Sequence, residues 1–168
     1  MPELTEDERQ QLRGSLMVLR IIVCALLLGV TSYTGFCLFL HLRAGKLPQQ
    51  LVVIPGQLTI PQAIAMASAV VAGVLALLVP PFLIVPQLKP DSEYQRLIEI
   101  QSAAQTIQVR TIVACALLEG AAFFNAIFVQ LDFSRGNLAM VLALLVVMAS
   151  HFPLSSWYFG KIERLMSR

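Results

Sequence analysis

A carboxylate in the middle of an apolar stretch constrains this chain more than any other feature. Residues 110–131, RTIVACALLEGAAFFNAIFVQL, have the length and composition of a membrane span and carry Glu119 near the centre. If the helix leaves the cytoplasmic surface at Arg110, Glu119 lies about 13 Å deep at ~1.5 Å per residue, close to the midplane of a hydrocarbon core roughly 30 Å thick. A charge there costs about 2.5–3.5 kcal/mol on insertion scales, so such a group faces protein or water and often marks a function. Desolvation disfavours the charged form. Glu119 is therefore expected to be neutral unless water or a cation reaches it, either as a carboxyl hydrogen-bonded to a neighbouring helix or as a group that handles protons or ions.

Composition extends this reading to the whole chain. Of 168 residues, 57% are apolar and only 13% charged, and the mean hydropathy of +0.75 exceeds what a soluble domain of this size needs for its core. The net charge of +2 is too small to point to nucleic acid, and the basic residues sit at span ends rather than in a stripe. Cys24, Cys37 and Cys115 fall inside spans with no metal-ligand or disulfide spacing, and read as small packing residues. No metal or cofactor is expected.

Taken in order, the chain starts acidic (Glu3, Glu6, Asp7, Glu8), unlike the basic start of a cleavable signal peptide. Thr5-Glu6-Asp7-Glu8 matches the capping box, so one helix is expected from Thr5 to His41, embedded over residues 16–41. On it Ala25, Gly29 and Ser32 recur at helical spacing, a face on which membrane helices approach closely. Residues 43–59, broken by Pro48 and Pro55-Gly56, read as a surface loop with a small hairpin. The second span, residues 61–82, opens on Pro61, carries Ala65, Ala69, Gly73 and Ala76 along a narrow face, and meets Pro80-Pro81, which end or kink it. Residues from Phe82 to Leu88 are expected to be irregular.

Asp91-Ser92, with Gln95 in the capping-box place, offers a helix start. Leu97, Ile100, Ala104, Ile107 and Thr111 hold one helical stripe, so residues 92–109 are expected to form a cytoplasmic arm continuous with the third span, residues 110–131. There Cys115, Glu119, Ala122 and Ala126 share a small-residue face that points the carboxyl into the bundle, and Asn125 reads as an interhelical hydrogen bonder. A tight connection leads to the fourth span, residues 137–159, which Pro153 is expected to bend and which ends in an aromatic belt, Trp157-Tyr158. His151 is the second polar residue in the membrane, and its depth allows it to face Glu119 or to sit at the inner interface.

Nine basic residues belong to the N-terminus, the middle connection and the C-terminus, against three on the other side (Arg43, Lys46, Arg135). The positive-inside rule then puts both termini in the cytoplasm, in agreement with an even number of spans and with a bacterial inner membrane. Cys24-Ala25-Leu26-Leu27-Leu28-Gly29 also aligns without gaps on Cys115-Ala116-Leu117-Leu118-Glu119-Gly120, a short internal repeat.

The run Arg110-Thr111-Ile112, then Ala116-Leu117-Leu118-Glu119-Gly120, then Ala122-Phe123 resembles the carboxylate-bearing helix of the c subunit (proteolipid) of F-type ATP synthases. The resemblance covers roughly twenty residues and implies that Glu119 carries a proton or sodium ion. The family's short Arg-Gln-Pro loop and its close-set glycine stripe are missing, and two further spans and the arm are added.

The fold expected is all-α, a single four-span transmembrane helical bundle with cytoplasmic helical extensions. No nucleophile–base constellation or phosphate loop is present, so an enzyme is not expected. A structural or assembly component of a membrane complex leads, with partners in the lipid bilayer, itself or other membrane subunits. The alternative is a proton- or sodium-coupled component working through Glu119.

Overall fold

The polar N-terminus starts a helix as its sequence demands. In the computed structural model, described for residues 4–45, 60–82, 95–133 and 135–166, the Thr5 hydroxyl accepts from the Glu8 backbone N–H while the Glu8 carboxylate accepts from that of Thr5, a complete capping box. Helix α1 (Glu6–Arg43) then runs unbroken to Gly45, whose φ of +65° provides the left-handed turn that ends it. Helix α2 is Ile60–Phe82, α3 is Gln95–Asp132, α4 is Arg135–Ser150 and α5 is Ser155–Met166. All regular structure among the described residues is helical. The surface hairpin, the irregular stretch after Phe82 and the Asp91-Ser92 cap lie outside the described residues.

Helices α1, α2 and residues Arg96–Leu131 of α3 are each long and apolar enough to cross a membrane, whereas α4 and α5 qualify only as a pair, bent by 64° at a short break. Helix α3 is central, packing on all the others, whereas α1 and α2 do not touch. Gln108 meets Ser15, Glu119 meets Gly29 and Gln130 meets His41, so α1 and α3 run parallel with contacts 89 to 93 residues apart in sequence. Asn125 on Ala65 and Arg110 on Pro81 make α2 antiparallel to α3.

The arm continues into the third span without a break, with Ile100, Ala104, Ile107 and Thr111 buried in phase as expected, although Leu97 is exposed. Together with the first turns of α1 and with α5 it forms a three-helix head. Leu12, Leu16, Leu19 and Val23 pack there against Ile100, Ala104, Ile107, Tyr158 and Ile162. Glu8 binds Arg96 across α1 and α3 in a two-toothed ion pair (2.8 and 3.2 Å), and Arg9 reaches Glu163 of α5 at 3.5 Å.

Two expectations are corrected here. Residues 137–159 do not form one helix: α4 stops at Ser150, the chain turns through residues 151–154, and α5 leaves at a steep angle. Pro153 cannot donate to the preceding turn and crowds it. The Arg20 guanidinium fixes the break by donating to the Pro153 carbonyl (3.1 Å) and to Ser155 Oγ (2.9 Å). Tyr158 consequently leaves the expected aromatic belt for the head core, while Trp157 remains at the surface with Lys161 Nζ 4.1 Å above its ring. Pro80 and Pro81 lie inside the last described turn of α2, which reaches Phe82, one residue past the pair. One carbonyl of that turn, Pro81's, accepts from Arg110 Nη2 at 3.0 Å.

Candidate functional site at Glu119

The small residues of α2 place α3 before any polar group acts. Ala65, Ala69, Ala72, Ala76 and Pro80 form its buried stripe, matched on α3 by Ala114, Leu118, Ala121, Ala122 and Ala126. Gly73, expected in that stripe, is only half-buried, with nothing within 4 Å of where its Cβ would lie; Ala72 takes its place. The contact rows advance by three and four residues, and Gly73 falls one position outside them. Asn125 pins the seam from a fully buried position, its amide donating to the Ala65 and Ala121 carbonyls at 2.9 Å each. This is the interhelical role read from the sequence.

Glu119 faces the other way. Cys115, Ala122 and Ala126 are fully buried, but Glu119 itself is only half-buried, on the edge of α3 that meets α1. Its Oε1 lies 3.7 Å from where a Cβ on Gly29 would stand, beside Phe123, whose ring packs on Tyr33 with centroids 5.6 Å apart. The carboxyl accepts no hydrogen bond and joins no ion pair among the described residues. It therefore lies at the α1–α3 border, partly covered by α1 and apart from the fully buried row of α3. The buried row of α3 turns toward α2 and α4, leaving Glu119 on the border with the outer face.

The neighbouring small residues share that rim. Ala25 and Ser32 are exposed, as are Ala116 and Gly120 of α3, and only Gly29 is half-buried between the two helices. The buried side of α1 runs instead along Leu12, Leu16, Leu19, Val23, Val30, Thr34, Cys37 and His41, so Ala25 and Ser32 are not a packing face within the chain.

His151 is not brought to Glu119. Its Nδ1 donates to the Val147 carbonyl of its own helix at 2.9 Å, and it lies two residues from Pro153, which Arg20 holds. Arg20 and Gly29 are nine residues apart on α1, so His151 and Glu119 differ in height by about 13 Å at ~1.5 Å per residue. The expected pairing of His151 with Glu119 is therefore not formed: α4 carries His151 past the level of Glu119 to the turn that Arg20 anchors.

A second polar layer escaped the sequence reading. At the far end of α1, His41 Nε2 donates to the Gln130 carbonyl at 2.9 Å and stacks on Phe133, with ring centroids 4.3 Å apart, while the Tyr33 hydroxyl donates to Gln130 Oε1. Phe133 is a buried non-glycine residue at φ +48°, a costly backbone state that only surrounding packing sustains. His41 at a span end, facing aromatic residues across a tight connection, was the available signal.

No protein-family model, no curated protein and no solved structure matches the chain.

Proposed function

We propose that the chain is a four-crossing subunit of the bacterial inner membrane with both termini in the cytoplasm, and that its role is assembly. Its Glu119 rim receives a transmembrane helix of a different membrane protein, one that carries a hydrogen-bond donor or a cation at mid-membrane depth. The observation behind this reading is a half-buried carboxyl with no hydrogen-bond or ion-pair partner among the described residues, placed among small residues that let another helix come close. Charge complementarity selects the partner. Residues 21–41, 60–82, 111–131 and 136–150 contain no Lys or Arg, so a second copy offers Glu119 no cation at that depth.

The four crossings and their direction are supported by where the cations collect. Arg9, Arg13, Arg20, Arg96, Arg110, Lys161 and Arg164 belong to the head or its junction with the apolar bundle, whereas Arg43 and Arg135 lie at the opposite end. On this reading α4 and the turn through residue 154 make the fourth crossing together, and α5 leaves along the inner surface with Trp157 at the boundary.

A second reading keeps Glu119 as a carrier of a proton or sodium ion, in line with the resemblance to the ATP synthase c subunit. It is favoured by the partly exposed carboxyl, unpaired among the described residues, which a neighbouring subunit could load and unload. Paired substitutions separate the two. For assembly, Glu119→Gln keeps a hydrogen-bonding group and retains co-purification of the partner, while Glu119→Leu loses it. For ion carriage, Glu119→Gln abolishes pH- or sodium-dependent flux in reconstituted vesicles as fully as Glu119→Leu. Equal co-purification by both variants would sink the assembly reading.

A further inference from the structure

Where α3 emerges from the apolar bundle, it and α5 flank an open pocket of about 220 Å³ lined, among the described residues, by Ile107, Arg110, Thr111, Lys161, Arg164 and Leu165. Three of the six are cations and none is a carboxylate. The acid nearest in sequence, Glu163, is turned to Arg9 and to the Leu4 backbone N–H. We propose that this cavity binds a phosphate group of the kind an anionic phospholipid headgroup presents at the inner leaflet.

Depth, charge and shape agree on that ligand. Arg110 Nη2 holds the Pro81 carbonyl at the end of α2, so the cavity stands level with the last turn of a membrane-length helix, where headgroups begin. Trp157, whose ring lies against Lys161, marks the same boundary. The three cations converge on the pocket from two helices, a concentration of positive charge of the kind a phosphate seeks. Desolvation first, then the neighbouring Arg110 and Arg164, push the Lys161 ammonium below its ordinary range. A phosphate offers several acceptor oxygens, which Arg takes through paired N–H groups and Lys as a point charge. Basic pockets between helices on the cytoplasmic side are recognised sites for anionic headgroups.

The test uses the full chain, with phosphatidylglycerol, phosphatidylcholine and inorganic phosphate as probes. Native mass spectrometry of the detergent-purified protein should retain a phosphatidylglycerol adduct in preference to phosphatidylcholine. Thermal unfolding in nanodiscs should occur at higher temperature with the anionic lipid. The double variant Lys161→Gln/Arg164→Gln, at two exposed positions, should lose both effects, with affinity falling about tenfold or more for two cations at the membrane surface. Arg13→Gln, an exposed cation on α1, should keep them, and Lys161→Arg/Arg164→Lys should restore them. If inorganic phosphate at millimolar concentration gives the same cavity-dependent stabilisation in detergent and no lipid adduct survives, the phosphate is a soluble one. Binding of either probe that is unchanged in the double variant, or preference for neither phosphatidylglycerol nor inorganic phosphate in the native protein, would overturn the proposal.

Discussion

The head and the α2–α3–α4 seam are built by opposite means. Leu12, Leu16, Leu19, Tyr158 and Ile162 fill the head, and ion pairs from Arg9 and Arg96 close its rim. The seam has mainly alanines, with Val141, Leu144 and Met148 of α4 beside them. In water, burying large apolar side chains is itself the driving force. In lipid that drive between helices is absent, and close backbone approach with a few hydrogen bonds replaces it. Truncation should therefore break the head, and enlargement the seam.

The largest effect is expected at Leu19, fully buried in the head. Leu19→Ala should destabilise it by about 2–5 kcal/mol, from lost burial plus the cavity left behind. Hydrogen exchange of α5 and the arm should rise while α2 stays protected. Next, Ala122→Leu, at a fully buried position in the seam, should cost about 1–3 kcal/mol by overpacking, read as a lower unfolding temperature in nanodiscs with the head's exchange unchanged. If the two variants instead loosen the same amides, the two regions are one cooperative unit and the contrast fails.

A smaller loss is expected from Asn125→Leu. Removing its bond to the Ala65 carbonyl should cost roughly 0.6 kcal/mol and at most about 1.7, the range measured for interhelical hydrogen bonds in a membrane bundle. Disulfide trapping between α2 and α3 would detect the looser seam.

The smallest effect concerns pH and belongs to the head alone. The Thr5 backbone N–H, foremost, holds the Glu8 carboxyl below its ordinary range; burial is the next influence and opposes it, and Arg96 adds to the lowering. A group held low when folded stabilises fully above its unfolded value, about 4.3 for Glu, and that contribution is lost as pH falls through the folded value. Exposed pairs of this kind contribute about 0.2–1 kcal/mol. Head stability should thus decline as pH drops below the ordinary carboxylate range, and Glu8→Gln should flatten that part of the profile.

The same contrast explains what could be read from residues alone. The capping box, the unbroken α1, and the phase of Ile100, Ala104, Ile107 and Thr111 were legible because one side of those helices meets water and the pattern records it. Inside the apolar bundle the outward faces are apolar too, as Leu28, Val71, Leu77 and Val146 show. Hydropathy there marks a span but not which way it turns. For that reason the residue pattern points to Gly73 where Ala72 makes the contact, and to Ala25 and Ser32 as a packing face although both are exposed. Glu119 is legible as an anomaly but its place at the α1–α3 border is not, and Pro153 gives away a bend but not its 64°.

The claim that matters most is that the Glu119 rim is an occupied interface. A photoreactive side chain placed at exposed Ser32 or Ala116 in living cells, with Val71 on the exposed side of α2 as control, tests it most directly. Expected is a crosslink from both rim positions to one other membrane protein. The captured peptide should be a transmembrane segment bearing a Lys, Arg, His, Asn or Gln, and Glu119→Leu should abolish the crosslink. Adducts to lipid alone, or the same captured protein from Val71 as from the rim, would contradict it.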